Sequence, residues 1–175
     1  MEATTVRERA GERTMSGYAS PEQRPPLGSY GVLAGIFNAC FAALLVRAHR
    51  SGRVPERIGA GDLLLVGTAA HKLSRLITKD KVTAFVRAPF TEYEGSGGPG
   101  ELQERPRGAG LRRAIGEMIA CPYCVGLWVV AALHAGLVFA PRTTRLVAST
   151  FAGLTISDFL QIAYKAAEEK GLGGS

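Results

Sequence analysis

Apolar residues fall in blocks along this chain, and charged residues crowd the intervals between them. The clearest block is Cys121–Ala140, CPYCVGLWVVAALHAGLVFA, which holds no Asp, Glu, Lys or Arg. A helix of about twenty residues rises about 30 Å, the thickness of a bilayer's hydrocarbon core. Ser29–Val46 is likewise free of charge. Ile58–Ile77 and Leu146–Ala163 repeat the pattern with polar residues toward their ends: Asp62, His71, Lys72 and Arg75 in one, Asp158 and Gln161 in the other. Long charged side chains so placed extend to the membrane interface. The pattern predicts an all-α, polytopic integral membrane protein of about four transmembrane helices, at 29–46, 58–77, 121–140 and 146–163. The second segment also fits an amphipathic helix lying on the membrane surface.

A long loop, residues 78–118, joins the second and third spans. Its centre, GSGGPG at 95–100, cannot be regular helix. Before it, Val82, Phe85 and Val86 recur at helical spacing beside Lys81 and Arg87, a pattern suited to a short interfacial helix. After it, Leu111, Ile115, Met118 and Ile119 repeat at helical spacing and lead into the third span. Residues 1–28 read as a disordered polar tail, 29–165 as the helical membrane domain, and 166–175 as a second polar tail. The pairs Gly31/Gly35 and Gly153/Ser157 let helices approach closely, so a homo-oligomer is among the expectations.

Composition alters this picture little. Of 175 residues, 46% are hydrophobic, a value that does not separate soluble from membrane proteins. The net charge of +6 comes mostly from arginines that flank apolar runs, which points to an anionic membrane face. No basic groove interleaved with aromatics suggests nucleic acid. Thirteen Lys and Arg lie on the side of the termini and the long loop, and six on the other. Positive residues favour the cytoplasm, so the reading is a multi-pass protein of the cytoplasmic membrane with both termini inside. Residues 1–26 hold arginines but no apolar stretch, unlike a signal peptide. Expected partners are membrane lipids and another membrane or cytoplasmic protein. No nucleic acid and no cofactor are expected.

With that orientation, His71, Lys72, Arg75, Asp158, Cys121 and Cys124 share one inward layer. Asp158 is expected to pair with Arg75, while Lys72 reaches for headgroups. In the loop, Asp80, Lys81, Arg87, Phe90, Arg112, Arg113 and Glu117 are candidates for an interaction surface.

Three cysteines, Cys40, Cys121 and Cys124, do not make a secreted disulfide framework. Cys121-Pro-Tyr-Cys124 has the spacing of a dithiol, and a helix N-terminus there would favour the first thiolate. The same four residues spell the glutaredoxin active site, but the helical pattern around them does not suit that fold. Three readings stay open: helix-start cysteines with a structural role, a redox or sensing dithiol, and a metal site. For metal, one CxxC supplies two ligands where structural zinc takes four, with His71 the next candidate.

The runs HKLSRLITKDKVTAFVRAPFTEYEG and RGAGLRRAIGEMIACPYCVGLW resemble the bacterial membrane family called domain of unknown function 1360 (DUF1360). The pattern there is an R-L-x-x-x-D-K-x-T segment, then R-x-P-F, then G-E-L-x-x-C-x-x-C. This sequence supplies Arg75, Leu76, Asp80, Lys81, Thr83, Arg87, Pro89, Phe90, Gly116, Glu117, Cys121, Cys124 and, as the closing aromatic, Trp128. The N-terminal tail and the GSGGPG insert depart from shorter members. Some members are labelled sporulation proteins, and the resemblance implies no catalytic residue. Two functions are carried forward: a non-enzymatic scaffold or interaction module presenting a basic cytoplasmic loop, and a membrane thiol oxidoreductase or redox or metal sensor.

Overall fold

The computed structural model describes residues 25–172 and Tyr18, so most of the expected N-terminal tail lies outside the described residues. The elements are α1 (Leu27–Arg50), α2 (Ala60–Thr78), a 3₁₀ turn (Lys81–Thr83), α3 (Ala84–Arg87), β1 (Thr91–Gly98), β2 (Glu101–Pro106), α4 (Gly110–Ala120), α5 (Pro122–Phe139) and α6 (Pro141–Leu172). Three of the helices, α1, α5 and α6, are long and apolar enough to cross a membrane.

Helix α2 falls short of that standard because Asp62, Lys72 and Arg75 interrupt it. It is nonetheless the most enclosed helix. Val66, Ala69 and Ala70 pack against Leu133 of α5 and Ala148 and Ala152 of α6. A helix sheltered by neighbours tolerates polar residues that a lipid-facing helix does not. The small alanines let the backbones approach, and Thr155 Oγ1 donates across to the Thr68 carbonyl at 2.9 Å. Helix α1 is attached more loosely. It rests on α4 and α5, with the Phe37 ring edge-on to Trp128 at 5.0 Å. At its other end, Arg47 and Arg53 lie over the Phe139 ring at 5.5 and 5.9 Å. Helix α6 continues to Leu172, so the segment read as a C-terminal polar tail is helical as far as 172.

The all-α expectation is corrected here. Residues 78–118 fold into a cap whose centre is an antiparallel hairpin, with Thr91 opposite Pro106, Tyr93 opposite Glu104 and Gly98 opposite Glu101. The chain reverses at Pro99-Gly100, where Gly100 takes φ +79°, a left-handed conformation that suits glycine. A two-stranded hairpin is marginal by itself. This one is docked: Leu102 N–H donates to the Lys79 carbonyl at 2.8 Å, and Lys81 N–H to the Gly100 carbonyl at 3.0 Å. On the other flank, Gly116 of α4 lies so close to the Phe90 carbonyl that a Cβ would come within 2.4 Å of it.

Candidate functional site

The cap is organised around Arg87, which is 0% exposed. Its Nη1 donates to the Ile77 carbonyl at 2.8 Å and to Thr83 Oγ1 at 2.7 Å, and its Nη2 to the Asp80 carbonyl at 3.0 Å. Nε completes an ion pair with Glu104 of β2. Glu104 also accepts from Thr91 Oγ1 at 3.2 Å. A buried guanidinium is costly unless its donors find acceptors, and here one carboxylate, two carbonyls and a hydroxyl serve them. Asp80 accepts from Val82 N–H at 3.0 Å and starts the turn that feeds α3.

Of the seven expected loop-interaction residues, Arg87 is buried, Lys81 and Arg112 are exposed, and Asp80, Phe90, Arg113 and Glu117 are half-buried. Arg87 is enclosed. Arg112 donates to the Pro89 carbonyl at 2.9 and 2.7 Å, and Arg113 pairs with Glu117 at 2.9 Å. The Phe90 carbonyl receives Arg107 N–H at 3.0 Å. Lys81 stays exposed. Around it stands an apolar patch that includes Val82 and Val86, with Phe85 77% exposed.

The expected helix-layer cluster divides into pairs. Asp158 of α6 meets Lys72 at 2.6 Å and not Arg75, so the expected partner is corrected by one helical turn. Arg75 binds Glu101 of the hairpin through both Nε and Nη2, at 3.0 and 2.6 Å. His71 is exposed and stacks on Phe159 at 6.0 Å. Among the described residues, no group of three His, Cys, Asp or Glu side chains gathers as a metal site, so His71 does not join the cysteines. At the opposite end of α2, Asp62 pairs with Arg145 at 2.7 Å.

The cysteine pair opens α5. The helix begins at Pro122, with Cys121 outside it as the cap residue. Its sulfur accepts from Cys124 N–H at 3.3 Å, and the Cys124 thiol donates to it at 2.7 Å. Both cysteines are free. Burial pushes the Cys121 thiol up. The Cys124 thiol, the N–H groups of Cys124 and Tyr123 and the charge of Lys79 outweigh it and hold Cys121 below the ordinary cysteine value.

Beside the pair, a groove of about 540 Å³ opens between α1, α4 and α5. Tyr30, Phe37, Asn38, Glu117, Cys124 and Trp128 line it. The Tyr30 hydroxyl donates to the Glu117 carboxylate. Sequence reasoning named Cys124 and Glu117 but missed Tyr30, Asn38, Glu101 and Glu104. Only Glu104 left a signal, since it and Arg87 lie on opposite sides of a Pro-Gly reversal.

The profile of a family described as "Protein of unknown function (DUF1360)" matches residues 65–164, more than half of the sequence. The chain is 28% identical over 88 residues to the UPF0713 protein YngL of Bacillus subtilis (strain 168). That match covers 50% of this chain and 65% of the relative. It is 32% identical over 69 residues to the sporulation protein YjcA of the same organism, covering 38% of this chain and 58% of the relative. The chain thus spans less than two thirds of the length of either relative. No solved structure matches.

Proposed function

This chain belongs to the DUF1360 family, and from that premise we propose that it is a four-pass protein of the cytoplasmic membrane with both termini inside. In this reading it acts as a non-catalytic scaffold whose folded cap is held against the anionic inner leaflet. The enclosure of α2 between α5 and α6 supports the fourth pass. The observation that carries the scaffold reading is the exposed patch of Val82, Phe85 and Val86 beside Lys81, on a turn fixed by buried Arg87. Apolar side chains that insert among headgroups, next to a lysine that meets their phosphates, form an interfacial anchor. The hairpin, with Tyr93 65% exposed, is then the surface left to a protein partner.

The test places the protein's only Trp at the anchor, as Phe85→Trp in a Trp128→Phe background, in lipid nanodiscs. Brominated lipids are expected to quench it, more strongly as anionic lipid increases. Emission that is unquenched and independent of lipid charge sinks the reading.

A second reading is supported by the 2.7 Å approach of the two thiols and the depressed Cys121. It takes the pair as a redox dithiol. Oxidation of the reduced protein by glutathione disulfide, with loss of two free thiols per chain, is its test. Persistence of both thiols is the outcome against it.

A further inference from the structure

We propose that the groove between α1, α4 and α5 is a binding site for a membrane quinone, the electron acceptor of the Cys121–Cys124 dithiol. The proposal rests on the dithiol reading above and names its substrate class.

The groove's volume of about 540 Å³ falls in the range of small-molecule sites, roughly 300–1,000 Å³. It lies along helices α1 and α5, both apolar enough to cross a membrane, so a lipid-soluble ligand reaches it from the side. Its lining is mostly apolar, but it is not a bare slot for an acyl chain. Phe37 and Trp128 give it aromatic walls. The Asn38 amide gives one N–H to the Ala34 carbonyl at 2.8 Å and keeps its second for a ligand. The Tyr30–Glu117 pair supplies a further polar boundary. A planar ring bearing carbonyl oxygens uses all of these features, whereas an acyl chain uses only the apolar ones.

Cys124, and not Cys121, lines the groove. A ring seated there meets one thiol while the other stands 2.7 Å behind it, close enough to complete the disulfide. In the reaction two S–H bonds break and one S–S bond forms. The dithiol loses two electrons and two protons. The quinone gains both, forms two O–H bonds and leaves as the quinol, and no other reactant is needed.

The experiment uses the full chain, reduced, freed of reductant and held without oxygen in nanodiscs, with decylubiquinone as the probe. Trp128 is the chain's single Trp, so binding is read as quenching of its fluorescence. We expect saturable quenching, reduction of one quinone per chain and loss of two free thiols. Cys124→Ser should abolish reduction and keep quenching. If that variant does not fold, wild-type protein blocked with N-ethylmaleimide should also fail to reduce the quinone. Asn38→Leu should weaken binding about three- to tenfold, the worth of one hydrogen bond. Absence of saturable quenching overturns the site, and quenching without thiol loss overturns the electron transfer. Oxidation by glutathione disulfide but not by the quinone leaves the dithiol reading standing and removes this proposal. Oxidation by neither removes both.

Discussion

Lys72 and Asp158 form a 2.6 Å ion pair between α2 and α6. Lys72 lies ten positions along α2 from Asp62, about 15 Å at helical rise. Asp158 lies thirteen along α6 from Arg145, about 20 Å. The Asp62–Arg145 pair therefore marks one end of the bundle, and Lys72–Asp158 lies well inside it. An unpaired charge at such depth costs about 2.5–3.5 kcal/mol in a membrane. Lys72→Met or Asp158→Leu alone should lower stability by about 2–3 kcal/mol. The double variant should recover most of the loss. Unfolding in detergent, followed for all three variants, checks this, and additive losses would deny the coupling.

Arg87→Lys should unravel the cap while leaving the helices in place. Lysine keeps the charge but cannot serve three carbonyl and hydroxyl acceptors and Glu104 from one planar fork. The expected loss is about 3 kcal/mol, the low end for breaking a buried pair. Hydrogen exchange across β1 and β2 is the measurement, with α5 and α6 as the internal reference. Glu104→Gln should act in the same direction but less strongly, because it retains an acceptor.

The apolar blocks were legible because a bilayer demands long charge-free runs; α1 and α5 follow them to within four residues, whereas α6 begins five residues before the expected span and runs nine past its end. The hairpin was not. Its strands, TEYEGSGG and ELQERP, lack the alternation that marks a half-buried strand, and contacts to Lys79, Phe90 and α4 hold them in place. Only the Pro99-Gly100 reversal left a sequence trace. The partner of Asp158 was missed by one turn because Lys72 and Arg75 sit on nearly the same side of α2. Glu101 decides between them by taking Arg75, and it belongs to the element that was missed. The groove was invisible for a similar reason. Tyr30 and Glu117 are 87 positions apart and meet only when α1 leans on α4.

Gly116→Ala should be costly and Gly126→Ala should not. A Cβ at Gly116 meets the Phe90 carbonyl at 2.4 Å and Pro106 at 3.2 Å, both part of a docked hairpin with little room to move. At Gly126, on α5, a Cβ meets nothing within 4 Å. Overpacking of this kind costs about 1–3 kcal/mol. Thermal denaturation of the two variants in the same detergent compares them directly, and equal midpoints would contradict the observed packing.

Cys121 should react with iodoacetamide at lower pH than an ordinary cysteine, whose midpoint is about 8.5. Its thiolate is favoured by hydrogen bonds from Cys124 and Tyr123 and by the charge of Lys79, against the opposing effect of burial. Because these interactions favour the charged form, removing any of them raises the midpoint. Cys124→Ser should shift it a little, since a hydroxyl still donates. Cys124→Ala should shift it further, and Lys79→Gln should move it the same way. A midpoint indifferent to both partners would deny that they set its reactivity.

The side of the membrane on which the cysteines sit governs their resting state, and it follows from the number of passes. If α2 crosses, then residues 51–59 and the turn at Ala140 lie on one side. The cap, Cys121 and the end of α6 lie on the other. In the proposed topology the thirteen-to-six bias of Lys and Arg would then put the cap in the cytoplasm, where dithiols rest reduced. If α2 instead lies on the surface, the cap and the first connection share a side, and Asp62–Arg145 and Lys72–Asp158 cannot both form across it. Reporter fusions inserted at Gly52 and at Gly97 separate the two cases. Opposite sides, with Gly97 cytoplasmic, is the expected outcome, and a shared side would remove the fourth pass and the sidedness built on it.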